Sequence, residues 1–348
     1  MHQRYDRRQF LQSITAAGIA TGLAASPSLR AMALAADPVR IGIIGCDTSH
    51  AVAFAKSFNK EIVTPGLEGF RIMAALPEAS PDIENNQKRM PGFVEELKKL
   101  GVEIVSDMDA LLAKSDVVMV ESNDGRPHLR QALPAIRAGK KVFIDKPLAA
   151  SLAEGIEIFN LSEKHNAPVF SASSLRYVDN VQAVAGGSIG KVFGAETFSP
   201  CALEKTHPDL YWYGIHGVEM LCTVMGTGCQ TVSRTSTADA DVVVGVWEGG
   251  RIGTYRGIRG GKQDYGGNAF GENSIVPLGP YKGYEPLLLR IAEFFRTGKP
   301  PVSREATLEI LAFMDAADES KRRKGAPVTV AAMFDRARKR KQGSYIHP

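Results

Sequence analysis

Aromatic side chains are scarce, at 7% of 348 residues with only two tryptophans, and neither sign of charge dominates, since the formal net charge is +4. That composition argues against a nucleic-acid-coating protein. Setting aside residues 1–36, where Arg4, Arg7, Arg8 and Arg30 face only Asp6, leaves +1, so no charged partner follows from the balance. Cysteine is confined to Cys46, Cys201, Cys222 and Cys229, without CxxC or metal-knuckle spacing, and no other ligand spacing marks a metal site. The four read as structural, and a Cys222–Cys229 bridge has no support from spacing. Low-complexity tracts and internal repeats are also missing. What is present is a chain longer than the roughly 250 to 300 residues at which single cores stop growing. With 44% apolar and 23% charged residues, it has material for two packed domains.

The first thirty-six residues read as an address. Asp6-Arg7-Arg8-Gln9-Phe10-Leu11 sets paired arginines before an apolar stretch, Ile14 to Ala25, too short and too rich in glycine and alanine to span a bilayer. The pattern resembles a twin-arginine translocation signal, with Ala31, Ala33 and Ala35 offering A-x-A cleavage sites before Asp37. That resemblance implies passage of a folded protein through the twin-arginine machinery to the periplasm or beyond. No stable membrane insertion is expected.

From residue 37 the chain alternates strands with helices. Val39–Gly45 is a short β-branched run ending in glycine, followed by Asp47-Thr48-Ser49, good helix-capping chemistry, and a helical stretch from Ala51 to Phe58. Strands are expected at 70–75, 103–105, 116–120 and 141–144, with helices at 92–100, 108–114 and 128–138. This predicts an α/β fold whose first domain is a Rossmann-type, doubly wound parallel sheet. Its ligand site should lie at the carboxyl ends of the strands. The turns there hold Cys46 to His50, Pro77 to Ser80, Glu121 to His128, and Asp145-Lys146-Pro147.

Past about residue 185 the texture changes to strands at 191–197, 230–236, 241–247 and 251–256, joined by Gly-rich turns. A large, open, mainly antiparallel sheet is expected, followed by amphipathic helices at 285–295 and 304–322. The domain layout is therefore a signal peptide at 1–36, a dinucleotide-type domain at 37–165, a C-terminal α/β domain at 166–330 and a basic tail at 331–348.

GIIGCDTSH, VFIDKPLA, YGIHGVE and the closing run from PLLLRIAEFFRTGKPPVS to ADESKRRKGAPVTV together resemble the Gfo/Idh/MocA family of oxidoreductases over residues 38–330. The resemblance implies a Rossmann domain joined to an open-sheet domain, an NAD or NADP cofactor, and oxidation of sugar or cyclitol hydroxyls. It also implies a homo-oligomer. The family's Glu-Lys-Pro signature falls on Asp145-Lys146-Pro147. Lys146 would hydrogen-bond the reacting hydroxyl and favour its alkoxide character, with Asp145 holding the ammonium. The family's histidine falls on His216, a general base whose usual aspartate neighbour is replaced by Trp212, leaving Tyr213 or Glu219 to orient it.

The phosphate turn departs from the family pattern. Gly45-Cys46-Asp47-Thr48-Ser49-His50 keeps only the first glycine of G-x-G-x-x-G. A carboxylate about 4 Å from a pyrophosphate would cost about 4 kcal/mol, nearly a thousandfold in affinity. Asp47 turns away to cap the helix, or Thr48, Ser49 and His50 contact phosphate in a changed pose, or no dinucleotide binds. The first, with the cofactor retained, is preferred. Glu78 and Ser80 are candidates to read the ribose, and no arginine directly follows Ala75, which favours NAD slightly over NADP. Ser122, Asn123 and His128 match the segment passing beneath the nicotinamide. Arg176, His207 and Tyr213 are candidate substrate contacts. The reading is an exported NAD(P)-dependent oxidoreductase acting on a sugar, glycoside or polyol. Two alternatives stand beside it: a non-redox lyase or hydrolase of the same fold, and a catalytically silent carbohydrate-binding protein.

Overall fold

A computed structural model describes residues 37–341. The expected Arg7-Arg8 signal lies outside the described residues, as do 342–348 of the expected tail.

The first layer grows from short apolar runs that can only be satisfied by burial on both faces. β1 (Val39–Ile44), β2 (Phe70–Leu76), β3 (Glu103–Ile104), β4 (Val117–Val120), β5 (Val142–Asp145) and β6 (Val169–Ala172) form one parallel sheet in the order β3-β2-β1-β4-β5-β6. Connections run through α1 (Ser49–Phe58), α2 (Glu84–Lys99), α3 (Met108–Ala113), α4 (His128–Arg137) and α5 (Leu152–Lys164). The strand order reverses beside β1, between β2 and β4, which opens a crevice at their carboxyl ends. α2 begins eight residues before its expected start at Gly92, because Pro91 is accommodated inside it. β6 pairs with β5 from Val142↔Val169 to Asp145↔Ala172, so the sheet runs past the expected boundary at residue 165.

The second layer is a seven-stranded sheet in the order β12-β11-β7-β10-β9-β8-β13. It comprises β7 (Val192–Pro200), β8 (Cys229–Ser236), β9 (Ala240–Trp247), β10 (Ile252–Ile258), β11 (Gly266–Gly271), β12 (Ile275–Pro277) and β13 (Val328–Thr329). Only β7 and β10 pair in parallel. Alternate burial along β9 shows one face packed, under α7 (Ile215–Met225) and α9 (Arg304–Arg322), after the short α6 (Asp179–Ala185).

Two features depart from the expected layout. α8 (Glu285–Thr297) returns to the first sheet, burying Leu287, Leu288, Ile291, Phe294 and Phe295 with Ile41, Phe54, Phe143 and Phe170. The expected basic tail is helical from Val330 to Lys341, α10, and buries Met333 and Ala337 in the core shared with α9. The charge run concealed this buried pair, beside which Arg336 pairs with Glu319 of α9. All four cysteines are free. Among the described residues, no helix is long and apolar enough to cross a membrane.

Candidate active site

Gly45 ends β1 at φ +90°, and a Cβ there would come within 2.4 Å of the Ser122 backbone nitrogen, so glycine is required for β1 and the β4 turn to approach. Three residues on, Thr48 rather than Asp47 caps α1, its hydroxyl accepting from the His50 N–H at 3.3 Å. This corrects the expected capping role of Asp47. The Asp47 carboxylate turns inward, accepting from the Asn123 N–H at 3.0 Å and from Asn86 Nδ2 at 2.9 Å. It is wholly buried, and that burial pushes its carboxyl up to about 6 despite the two donors.

A pH-dependent outcome follows. Because the folded value lies above the unfolded one, the fold prefers the protonated acid. The cost of ionisation is absent below about pH 4 and complete by pH 8. Asp47→Asn removes it, and Asn86, whose own Oδ1 is buried without a partner, can flip to accept from the new amide. The variant is expected to unfold about 2 kcal/mol harder than wild type at pH 8 and almost equally at pH 4, by urea titration at each pH.

β5 delivers Asp145 and Lys146 to the carboxyl edge of the sheet. Asp145 is fully buried, and its Oδ2 accepts from Lys146 Nζ at 3.1 Å and lies 2.7 Å from His50 Nδ1. Burial alone would raise this carboxyl, but His50 and Lys146 together hold it well below the usual range. Lys146 is 5% exposed, so its ammonium is shielded yet reaches the cleft.

His216 enters from the second domain at the start of α7. Its Nδ1 is 2.8 Å from Ser173 Oγ, a partner that lies 43 residues away and carries no sequence signal. Tyr213 packs edge-on at 5.1 Å between ring centres, as expected of a neighbour. Glu219 does not orient the imidazole directly. It accepts instead from the Ser173 N–H and from Arg176 Nε, so it fixes the residue that fixes the histidine. Burial first, then the nearby charges of Lys146 and His50, pull His216 well below the ordinary histidine value, so the ring is neutral at physiological pH. Tyr213, Tyr265, Tyr281 and Tyr284 continue the wall from His216 round to His50 through ring contacts of 4.8 to 6.2 Å.

Other expected contacts are placed differently. Both ring nitrogens of His207 are engaged, Nε2 with Asp124 at 2.7 Å and Nδ1 with Thr206 at 2.9 Å, so it clasps the two domains rather than offering a substrate contact. Arg176 is likewise committed to Glu219 and lines a separate cavity of about 170 Å³ beside Cys222 and Glu309. His128 is completely buried between the carbonyls of Ser122 and Pro147, tying the β4 turn to the Lys146 turn without touching the cleft.

The residues present fit a dinucleotide. The Gly45 turn leads straight into the N-terminus of α1 at Ser49, whose backbone N–H groups suit a pyrophosphate, and the Asp47 charge is turned inward to its own donors. Ser122 and Asn123 form the β4 turn beside Gly45, with Ser122 Oγ accepting from Gln131. Past it, a cavity of about 470 Å³ at the ends of β2 and β4 is lined by Glu78 and Ser80, the carboxylate and hydroxyl expected to meet a ribose. Arg126, from the turn before α4, and Arg130, from α4, reach the same cavity, which the sequence order did not show. Glu78 accepts from Arg130, and Ser80 bonds to Asp124 beside Arg126.

Comparison with known proteins bears on this geometry. Residues 39–173 match the Gfo/Idh/MocA family, described as an oxidoreductase family with an NAD-binding Rossmann fold. The uncharacterized oxidoreductase YhhX of Escherichia coli is 26% identical over 140 residues, covering 36% of this chain and 40% of the relative. An uncharacterized oxidoreductase of Streptococcus pneumoniae is 22% identical over 155 residues, 40% of this chain and 42% of the relative. The chain thus spans less than half the length of these relatives. Myo-inositol 2-dehydrogenase from Lactobacillus plantarum superposes with a TM-score of 0.67 at 17% identity, over 84% of this chain and 99% of that one. Scyllo-inositol dehydrogenase from Lactobacillus casei, solved with NAD(H) and scyllo-inositol, gives 0.66 at 17% identity over the same shares. Residues 39–173 are thus similar to the Rossmann-fold segment of that family, and over 84% of its length the chain has the fold of these two dehydrogenases.

Proposed function

We propose that this chain is an exported NAD(P)-dependent oxidoreductase that acts on a hydroxyl-bearing carbon of a sugar, glycoside or polyol. One observation carries the reading: Lys146, held by Asp145 at the carboxyl edge of the parallel sheet, and His216 from α7 border the same wall, which runs from Asp145 and His50 through Tyr284, Tyr281 and Tyr265 to His216. A bound nicotinamide supplies the hydride acceptor or donor. Lys146 donates a hydrogen bond to the substrate oxygen and stabilises the negative charge that grows there as the C–H bond breaks. His216 removes the hydroxyl proton at Nε2, which requires the tautomer whose Nδ1–H donates to Ser173 Oγ. Asp145 keeps the ammonium aimed.

The tyrosine arc supports a neutral, polyhydroxylated substrate, because its ring faces and phenols suit C–H faces and hydroxyls. Several solved proteins of this fold are inositol dehydrogenases, which supports the same substrate class. Export rests on the Arg7-Arg8 sequence alone. A homo-oligomer is supported by Phe193, Ile252, Phe270 and Ile275, apolar side chains left exposed on the seven-stranded sheet.

The test is to express the full chain in the cytoplasm, denature the purified protein and look for released nicotinamide dinucleotide by mass spectrometry. Near-stoichiometric NAD or NADP is expected, with absorbance change at the nicotinamide band when cyclitols and sugars are screened. A protein that carries none and binds neither when added overturns the reading in favour of a non-redox enzyme or a carbohydrate-binding protein.

A further inference from the structure

We propose that His50, Glu121 and Asp145 form a binding site for a divalent first-row cation, set beneath Lys146. The three come from adjacent elements of the sheet's carboxyl edge: the first turn of α1, the residue after β4 and the last residue of β5. All three are buried, and one ligand atom from each can be chosen so that the set lies within 4.8 Å. His50 Nδ1 and Asp145 Oδ2 stand 2.7 Å apart. Two ligands about 2.1 Å from one ion, at a right angle to each other, would be about 3 Å apart. Little movement is needed to turn that contact into two coordinate bonds.

Glu121 makes the stronger case. It is completely buried, and neither of its carboxylate oxygens has a hydrogen-bond partner. Asp145 Oδ1 is also buried without one. Unpartnered carboxylate oxygens in an interior are costly, and natural proteins seldom keep them without a proton or a cation. Beside the two carboxylates stand Lys146, which pairs with Asp145 at 3.1 Å, and His50, whose Nδ1 lies 2.7 Å from the same Asp145 oxygen, so neither is bonded to Glu121. Neither Asp145 as the lysine's holder nor His50 as a helix residue accounts for an acid at position 121.

Donor chemistry narrows the ion. One imidazole and two carboxylates suit Mn²⁺, Fe²⁺ or Zn²⁺ better than Ca²⁺, which takes more oxygens, or a thiolate-selecting ion. Three protein ligands also leave coordination positions open, the pattern of a catalytic rather than a structural site. On binding, His50 Nδ1 would exchange its hydrogen bond to Asp145 for the ion, with the ring proton moving to Nε2. His216 takes no part, since its Nδ1 is already committed to Ser173.

The inference stands apart from hydride transfer, because cation binding is read without turnover. The full-length protein is stripped with a chelator, then titrated with Mn²⁺ and with Zn²⁺ by calorimetry, and the rise in Tm is followed. One ion per chain is expected for wild type. Glu121→Gln, nearly isosteric and free of the buried charge, should fold at least as stably without metal yet bind roughly 100-fold more weakly. His50→Ala should lose affinity similarly. Exposed Glu248→Gln, far from the trio, should bind as wild type does. The proposal is overturned if wild type binds no stoichiometric ion, in which case Glu121 holds a proton instead. It is equally overturned if Glu121→Gln binds with wild-type affinity, which would put the ion elsewhere.

Discussion

Lys146→Met is expected to lower kcat about a thousandfold while leaving KM for the hydroxyl substrate nearly unchanged. The magnitude is that of deleting one donor aimed at developing negative charge, about 10²- to 10³-fold, with the upper end favoured because the ammonium carries a full charge in a water-poor setting. Lys146 is 5% exposed and 3.1 Å from Asp145, so its position is fixed before substrate arrives. Methionine keeps the length and most of the volume of the side chain but donates nothing. An interaction that strengthens only as hydride departs appears in kcat, not in ground-state binding. Steady-state kinetics on the best substrate of the screen separate the two parameters. Equal kcat for variant and wild type would remove Lys146 from the chemistry, whereas a rise in KM alone would demote it to binding.

The largest effect on stability is expected on β8 of the second sheet. Arg234 is 2% exposed and donates to three acids: Asp241 at 2.9 Å, Asp209 at 2.8 Å and Asp318 at 2.5 Å. Arg234→Met should cost about 3 to 5 kcal/mol at pH 8, because buried carboxylates lose their counter-ion while hydrophobic volume is kept. The three acids do not suffer equally. Asp241 retains Arg259 and Asp209 retains Lys321, but the ion pair to Arg234 is the one seen for Asp318. Burial already pushes Asp318 up to about 7 even with the guanidinium beside it. Its folded value exceeds the unfolded one, so protonation favours the fold, and the cost of Arg234→Met should shrink as pH falls from 8 towards 5. Asp318→Asn in the same chain should recover a large part of the loss at pH 8. Chemical unfolding of the single and double variants at both pH values measures this. A cost unchanged between pH 5 and pH 8 would show that lost packing, not the stranded acid, governs the effect.

What could be read from sequence divides along a physical line. Strand β1, its glycine and the Lys146 turn were legible because each is a local pattern: a β-branched run, a backbone with positive φ, a strand end followed by proline. His216 was legible by its neighbours in sequence. Thr48 displaced Asp47 as the cap because both are good caps one residue apart, and local chemistry does not choose between them. Ser173 and Asn86 act through partners 43 and 39 residues distant, His216 and Asp47, and Glu121 is brought beside Asp145 from 24 residues away, and no periodicity records such a meeting. His207 beside Trp212 and the tyrosines looked like part of a sugar platform, yet its imidazole is spent on Asp124 across the domain boundary. The amphipathic stripe of α8 was visible, but a stripe does not say which sheet it will cover.

That last choice has a consequence in time. The apolar face that α8 seals, with Ile41, Phe143 and Phe170, is complete once Ala172 has been made, yet its cover ends only at Thr297. At about 5 to 20 residues per second on the ribosome, the nascent chain carries that open face for roughly 6 to 25 seconds. A fragment ending after β6 would therefore be a sticky, chaperone-dependent species rather than a miniature of the first domain. Under the proposed export of a folded chain, departure would have to wait until nearly the whole sequence has emerged.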